Sequence, residues 1–378
     1  MINLIENSSM VENSETETLL KILDLARWAP SADNIQPWRF EILSGRHLLV
    51  HGSDRRHSMV YDREGFTSQI AIGALLESIS IAASEFSMKA EISYRLPTTL
   101  PDEHPLFDIY FVEDPSINQD PLFPYIKQRS VNRFPMGTNR LTGYEKEKLS
   151  KMLERSDLTL DPYKILWLEK LSDKIAVARI TQSAGKLRLI IPEAYPVHRA
   201  IIEWNAQYSM DRIPDRALGL SRSILPLMQW IMESWERVVF FNRFFAGTLI
   251  PRFELDIIPA LACSTHFIIL NPKPPQTLRD YIAIGRIIYR FWLGVTALGL
   301  QLQPEMAPLL FRTYAIKGEY FSRLSGSLAH AQKISSAIDR LIGCEQADQA
   351  VFMGRIGRGN PPSARSVRLP LLSILLQA

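Results

Sequence analysis

The chain has 378 residues, 46% of them hydrophobic and 10% aromatic, and its 43 Lys and Arg nearly balance 40 Asp and Glu, leaving a formal charge of +3. That length exceeds one ordinary domain and that apolar content supports sizeable cores, so two units are expected and disorder is excluded except at the ends. The small positive excess forms no dense basic stripe, which argues against nucleic acid as a partner. Cys263 and Cys344 make neither a disulfide framework nor a metal spacing, as expected of a reducing, cytoplasmic setting.

The N-terminal "MINLIENSSMVENSETETLL" is acidic and polar, without the basic start and apolar run of a signal peptide. A helix is expected over Thr16 to Trp28, ended by Pro30. The following "RWAPSADNIQPWRFEIL" sets Ser31, Asp33, Asn34 and Gln36 between Pro30 and Pro37, before a strand opened by Trp38. A plain connector needs turn residues, but not so many side-chain donors and acceptors. The run "HGSDRRHSMVYDREGF" from His51 reads as a charged solvent-facing loop or a substrate entrance. "SQIAIGALLESISIAASEFSMKAEI" from Ser68 then predicts a helix apolar nearly all round, hence buried, followed by a strand.

"KQRSVNRF" offers Arg129, Ser130 and Arg133 within five residues. Two guanidiniums and a hydroxyl can bracket a phosphate, although a solvated turn has the same composition. A helix over Thr142 to Leu153 and a strand at "DPYKILWL" follow. The apolar stretch "SILPLMQWIMESWERVVFFNRFFAGTLI" contains Glu233, Glu236, Arg237 and Arg243, which argue against a membrane span. Its aromatic residues from Ile224 to Ile250 suit a core helix, a lid over a site, or a partner surface.

Beyond it, "DYIAIGRIIYRFWLGVTALGLQLQP" from Asp280 is a second buried helix, which Pro304 of "GLQLQPEMAP" is expected to break, leaving backbone N–H groups exposed. "GRIGRGNP" at Gly354 lacks the spacing of a dinucleotide fingerprint, so no Rossmann domain is expected. "PPSARSVRLP" places Arg365 and Arg368 beside Ser363 and Ser366 in an apolar tail. No histidine has metal spacing or pairs with a nucleophile, and no metal is expected.

Two segments occur twice. Ile-Ala-Ile-Gly opens both buried helices, and "QPWRFEIL" at Gln36 is echoed by "DPYKILWL" at Asp161 in the same order. An α+β duplication follows, with halves at about 15–120 and 121–378 and a helical insertion in the second at about 184–252. The halves have diverged. Ser31-Ala32-Asp33-Asn34 faces Ser156-Asp157-Leu158-Thr159, and the arginine segment has no counterpart before the first helix.

"APSADNIQPWRF", RSVNRF, QPEMAP and RSVRLP, in this order, resemble the nitroreductase family of FMN proteins, and within it the fused twin-domain members. The resemblance runs from about Thr16 to Pro370. It implies an internal pseudo-dimer in which a monomer suffices, with one FMN site built from both halves. Arg129, Ser130 and Arg133 would hold the phosphate and ribityl chain, aided by Arg365 and Arg368. Pro30, Ser31, Asn34 and Gln36 would border the flavin from the other half, and Pro304, Glu305 and Met306 would lie beside its ring with backbone N–H near N5 and O4. Met306-Ala307 replaces the glycine common after that glutamate.

The function expected is FMN-dependent transfer of hydride or electrons from a donor such as NAD(P)H to a small nitro, quinone or similar acceptor. No separate catalytic acid or base is assigned. The alternatives are a protein that stores FMN without turnover and a flavin-dependent dehydrogenase of a biosynthetic pathway.

Overall fold

The computed structural model describes residues 2–54, 56, 59–60, 62–95, 103–154, 158, 161–244 and 253–376. Helix α1 (Ile2–Ala26) buries Leu19, Ile22, Leu23 and Ala26, the i, i+3, i+4, i+7 stripe of a helix with one apolar face. It leads through the Pro30 loop into a hairpin of β1 (Trp38–Ser44) and β2 (His47–Gly52). Helix α2 (Phe66–Ser84) follows, then β3 (Met88–Arg95) and β4 (Leu106–Glu113). These strands form an antiparallel sheet in the order β1-β2-β4-β3.

The second sheet repeats that plan. Helix α3 (Gly143–Lys151) starts at Thr142, whose hydroxyl accepts from the Glu145 N–H while the Glu145 carboxylate accepts from the Thr142 N–H. Strand β5 (Lys164–Leu168) follows, then helices α4 (Leu171–Ile190) and α5 (Ala194–Ile201). Three two-residue strands come next: β6 (Ile202–Glu203), β7 (Tyr208–Ser209) and β8 (Ile213–Pro214). Helices α6 (Leu225–Met232) and α7 (Trp235–Phe244) precede β9 (Thr265–Leu270). A long α8 (Leu278–Ala297), β10 (Leu300–Pro304), α9 (Ala307–Lys317) and β11 (Ala350–Arg358) complete this half. The sheet order is β10-β11-β9-β5. Read from β5, it runs first, second, fourth and third strand in chain order, as in the first sheet.

Residues 169–264, with helices and three short strands among the described ones, therefore lie between β5 and β9, where the first sheet has only a turn at Gly45 and Arg46. The insertion expected at 184–252 starts inside α4, and residues 245–252 of it lie outside the described residues. A second helical stretch, 305–349, separates β10 from β11.

The two sheets meet through α2 and α8. Helix α2 is long and apolar enough to cross a membrane, but it is a core helix, buried over most of its length. The helices cross at the repeated glycines. A Cβ on Gly73 would lie 2.2 Å from the Ile282 carbonyl oxygen, and one on Gly285 would lie 2.1 Å from that of Ile70. The contact is reciprocal, since Ile70 stands three residues before Gly73 as Ile282 does before Gly285. Beside it the buried Glu77 carboxylate accepts from Arg286 Nε at 2.8 Å and Arg290 Nη1 at 3.0 Å.

The C-terminal tail crosses back to the first half. Strand β12 (Arg365–Ser366) pairs in parallel with β7, and Phe40 on the edge strand β1 exchanges backbone hydrogen bonds with Ile374 and Leu376. That pairing covers an edge that would otherwise be open to other chains.

Candidate ligand cavity

The loop after Pro30 owes its shape to left-handed backbone at Asp33 (φ 53), Asn34 (φ 63) and Gln36 (φ 49). Asn and Asp tolerate that region better than most side chains. The Ser31 hydroxyl accepts the Gln36 N–H at 3.0 Å and closes the turn. Asn34 is only 4% exposed. Its amide nitrogen donates to the carbonyls of Met210 (3.0 Å) and Val367 (3.1 Å), and its oxygen accepts from Arg368 Nη1 at 2.8 Å. Gln36, 1% exposed, donates to the Asn34 and Met210 carbonyls and accepts from the Leu369 N–H.

These amides join the first half to the C-terminal tail and the 208–212 turn. One expectation is corrected here: Gln36 does not line the cavity, because its whole amide is used on backbone groups. Asn34 does line it, but its side chain is used to hold Arg368. The corresponding loop of the second half, apart from Leu158, lies outside the described residues.

Pro30, Ser31, Asn34, Arg129, Ser130, Arg133, Pro304, Glu305, Met306, Arg365 and Arg368 converge on one cavity of about 450 Å3. Small and apolar side chains of α2 (Ile70, Ala71, Ala74) also line it. A volume of this size fits a cofactor or a small ligand.

One end of the cavity is cationic. Arg129 is 3% exposed, and its guanidinium lies 4.5 Å from the Trp292 ring centre with no hydrogen-bond partner at Nε. Burial pushes its pKa down to about 10, so it remains charged at neutral pH. Arg365 donates to the carbonyls of Lys127 and Arg129, each at 3.0 Å, and its buried Nε has no partner. Arg368 donates to carbonyls of Ala29, Trp28 and Val367 as well as to Asn34. Burial first, then Arg129 and Arg365, hold its pKa well below that of a free guanidinium.

No carboxylate among the described residues forms an ion pair with any of these three. The chain supplies carboxylates to arginines elsewhere, as with buried Glu77 on the half-buried Arg286 and Arg290 or Asp339 on the buried Arg312. Buried cations without counter-charge are costly unless a ligand brings one. Arg133 has other neighbours. Its Nη1 donates to the Ala217 carbonyl at 3.1 Å, and Asp33 and Arg188 are the nearby charges.

The turn at Pro304 differs from its expected form. Helix α8 stops at Ala297, Gly299 (φ 68) reverses the chain, and Pro304 ends strand β10 instead of breaking a helix. The Glu305 N–H donates to the Met353 carbonyl at 2.9 Å and is not open to a ligand. Met306 is instead the N-cap of α9, which places the positive end of a helix at the cavity wall.

Sequence reasoning missed the support behind this turn. The Glu305 carboxylate accepts from His266 Nδ1 at 2.8 Å and lies 3.8 Å from Arg355 Nε. His266 and Arg355 are both 0% exposed and are register partners across β9 and β11. Arg355 also reaches Gln303 Oε1 at 2.9 Å and the carbonyls of Arg133 and Phe134. The available signal was a single polar residue inside each of two apolar strands.

Burial opposes charge on His266, but the Glu305 carboxylate and Cys263 outweigh it and raise its pKa to about 10. The folded value lies above the unfolded one of about 6.5. Its stabilisation is therefore complete below about pH 6.5 and is lost as pH rises through about 10. Urea melts across that window should show stability falling by up to about 1.4 kcal/mol per pH unit, and His266→Gln should flatten the slope. Equal slopes in both proteins would rule out a buried imidazolium.

The remaining wall comes from residues 169–264 and is mostly apolar, with Leu189, Ile202, Trp204, Leu220, Met228 and Met232 prominent. The aromatic segment thus contributes methionines to the cavity, while Trp230 and Phe240 face outward.

Residues 13–62 match the family model "Nitroreductase family", a segment containing most of the described part of α1, the Pro30 loop and β1–β2. Over 183 residues the chain is 25% identical to two uncharacterized Mycobacterium tuberculosis proteins, MT3212 of strain CDC 1551 / Oshkosh and Rv3127 of strain ATCC 25618 / H37Rv. The match covers 48% of this chain and 50% of each, so the chain spans about half the length of these curated relatives. Among solved structures, a nitroreductase-like family protein from Bacillus cereus aligns with 67% of this chain and 94% of its own, at TM-score 0.34 and 11% identity. The FMN-dependent nitroreductase NfnB from Mycobacterium smegmatis, solved in complex with NADPH, aligns with 67% of this chain and 96% of its own, at TM-score 0.35 and 12% identity.

Proposed function

We propose that the cavity holds FMN and that the chain is a flavin-dependent oxidoreductase of the nitroreductase type. The observation that carries this reading is the cluster of buried Arg129 and Arg368 with half-buried Arg365, which no acid among the described residues neutralises. A phosphate monoester carries close to two negative charges and several acceptor oxygens. The partnerless Nε groups of Arg129 and Arg365 are donors of the kind it needs.

Arg129, Arg365, Arg368 and Ser130 would hold the phosphate. Arg133, with its different neighbours, would meet another polar part of the cofactor. Ile70, Ala71 and Ala74 leave room for a flat ring, and Pro304, Glu305 and Met306 would border it. When bound, FMN would accept a hydride from a donor such as NAD(P)H and deliver it to a small acceptor such as a nitro compound or quinone. The chain's part is to orient the cofactor and exclude water. Glu305, held by His266, keeps the turn in place.

We further read the chain as a tandem duplication, with halves near 15–120 and 121–378 forming an internal pseudo-dimer. The matching strand orders and the reciprocal glycine contact support this. Both halves line the cavity, so a monomer in the cytoplasm would be competent with one FMN per chain. The wall from 169–264 also favours a second reading, retention of FMN without turnover. Rapid reoxidation of the reduced protein by a quinone supports the enzyme, and an inert reduced flavin supports retention.

The test is a titration of FMN-free protein with FMN, followed by absorbance and flavin fluorescence. Saturation near one per chain, with bands that bleach under dithionite, is expected. A protein that stays colourless in excess FMN would overturn the reading, and a ratio near two would overturn the single site.

A further inference from the structure

A second, smaller cavity of about 30 Å3 lies behind the wall of the first. Leu189, His198, Met228 and Met232 line both. The partition is thus one side chain thick, and two of its members are methionines, unbranched and easily moved to another rotamer. The far side is lined by Trp235, Val238 and Phe241 of α7. The outer faces of the same two helices leave Leu227, Trp230, Val239 and Phe240 between 43% and 49% exposed. Apolar side chains therefore line a route from the main cavity, past the methionines and the small cavity, toward the outer faces of α6 and α7. The one ionisable group on the partition, His198, is driven to its neutral form by burial and then by Arg188.

We propose that this path takes the aliphatic tail of an uncharged acceptor whose ring occupies the main cavity. The inference rests on the flavin reading for the ring's position and adds a substrate class to it: a ring compound with an alkyl or prenyl tail. The partition agrees with this, since it offers thioethers, hydrocarbon and an imidazole that burial and then Arg188 keep neutral. Ile231→Trp and Val238→Trp would fill the small cavity from α6 and α7. Neither residue lines the main cavity.

The experiment uses the oxidised full-length protein saturated with FMN. Binding of the tailless ubiquinone ring and of decylubiquinone is measured by quenching of tryptophan emission, with no turnover. The tail is expected to tighten binding at least tenfold. Val238→Trp and Ile231→Trp should each abolish that gain while leaving the tailless ring and FMN affinity within twofold of the parent. Equal affinity for the two quinones overturns the proposal, as does loss of tailless binding in both variants to the same degree as tailed binding. Failure to bind FMN, alongside variant-sensitive binding of decylubiquinone, would sink the flavin reading and leave the tail path standing.

Discussion

Replacing Arg129 with methionine should stabilise the FMN-free protein and weaken its hold on FMN about tenfold to a hundredfold. The two effects have opposite signs because one group causes both. Without ligand, the guanidinium is buried, lacks a partner at Nε and lies near the like-charged Arg365. Its stacking on Trp292 at 4.5 Å returns about 0.5–2 kcal/mol. Methionine keeps the apolar stem and a favourable sulfur–aromatic contact while removing the charge. Exchanging buried ionic groups for apolar ones of similar volume is often neutral or stabilising by about 1–4 kcal/mol. With FMN present, the same change deletes charge-assisted hydrogen bonds worth about 1.5–3 kcal/mol. Urea melts without FMN and fluorescence titrations with it measure both halves of the prediction. A ligand-free variant that is less stable than the parent would mean that Arg129 is a structural residue and not one waiting for an anion.

Several parts of this site were legible because they break local rules. Polar side chains crowded between Pro30 and Pro37, and arginines in an otherwise apolar tail, conflict with the simplest roles of a connector and a core segment. Such conflicts mark places where something other than local folding set the sequence. The repeated Ile-Ala-Ile-Gly was legible too, and its glycines lie where two backbones meet.

What could not be read depended on register and distance. Nothing near Gln36 says that its amide will be consumed by Met210 and Leu369. His266 looks like a polar residue beside Thr265 in the otherwise apolar "THFIIL" until strand pairing sets Arg355 opposite and the β10 turn delivers Glu305. The turn at Pro304 was expected to leave backbone N–H groups open, yet the Met353 carbonyl takes that of Glu305. Periodicity pointed to helices within about 184–252, but not to methionines of that segment standing between two cavities.

Adding one methyl group at the helix crossing should cost more than any other single-methyl change considered for this chain. In Gly73→Ala, the new Cβ would lie 2.2 Å from the Ile282 carbonyl oxygen and 3.0 Å from the Gly285 Cα. Both obstacles are backbone, so no rotamer change relieves them, and α2 must move away from α8. Overpacking of this kind costs about 1–3 kcal/mol, and more where the surroundings cannot shift. The helices join the two sheets, and the cavity takes Ile70, Ala71 and Ala74 from α2 and Ile288 and Trp292 from α8. Displacement at the crossing should therefore weaken FMN binding as well as folding, although Gly73 does not line the cavity. Gly285→Ala should behave alike, because its Cβ would lie 2.1 Å from the Ile70 carbonyl oxygen. Gly143→Ala is the control: a Cβ there meets nothing within 4 Å, and alanine in a helix gains up to about 1 kcal/mol over glycine. Urea melts of the three variants decide the matter. A crossing variant as stable as the Gly143→Ala protein would mean that α2 and α8 do not meet backbone to backbone, and a cavity shared between them would lose its foundation.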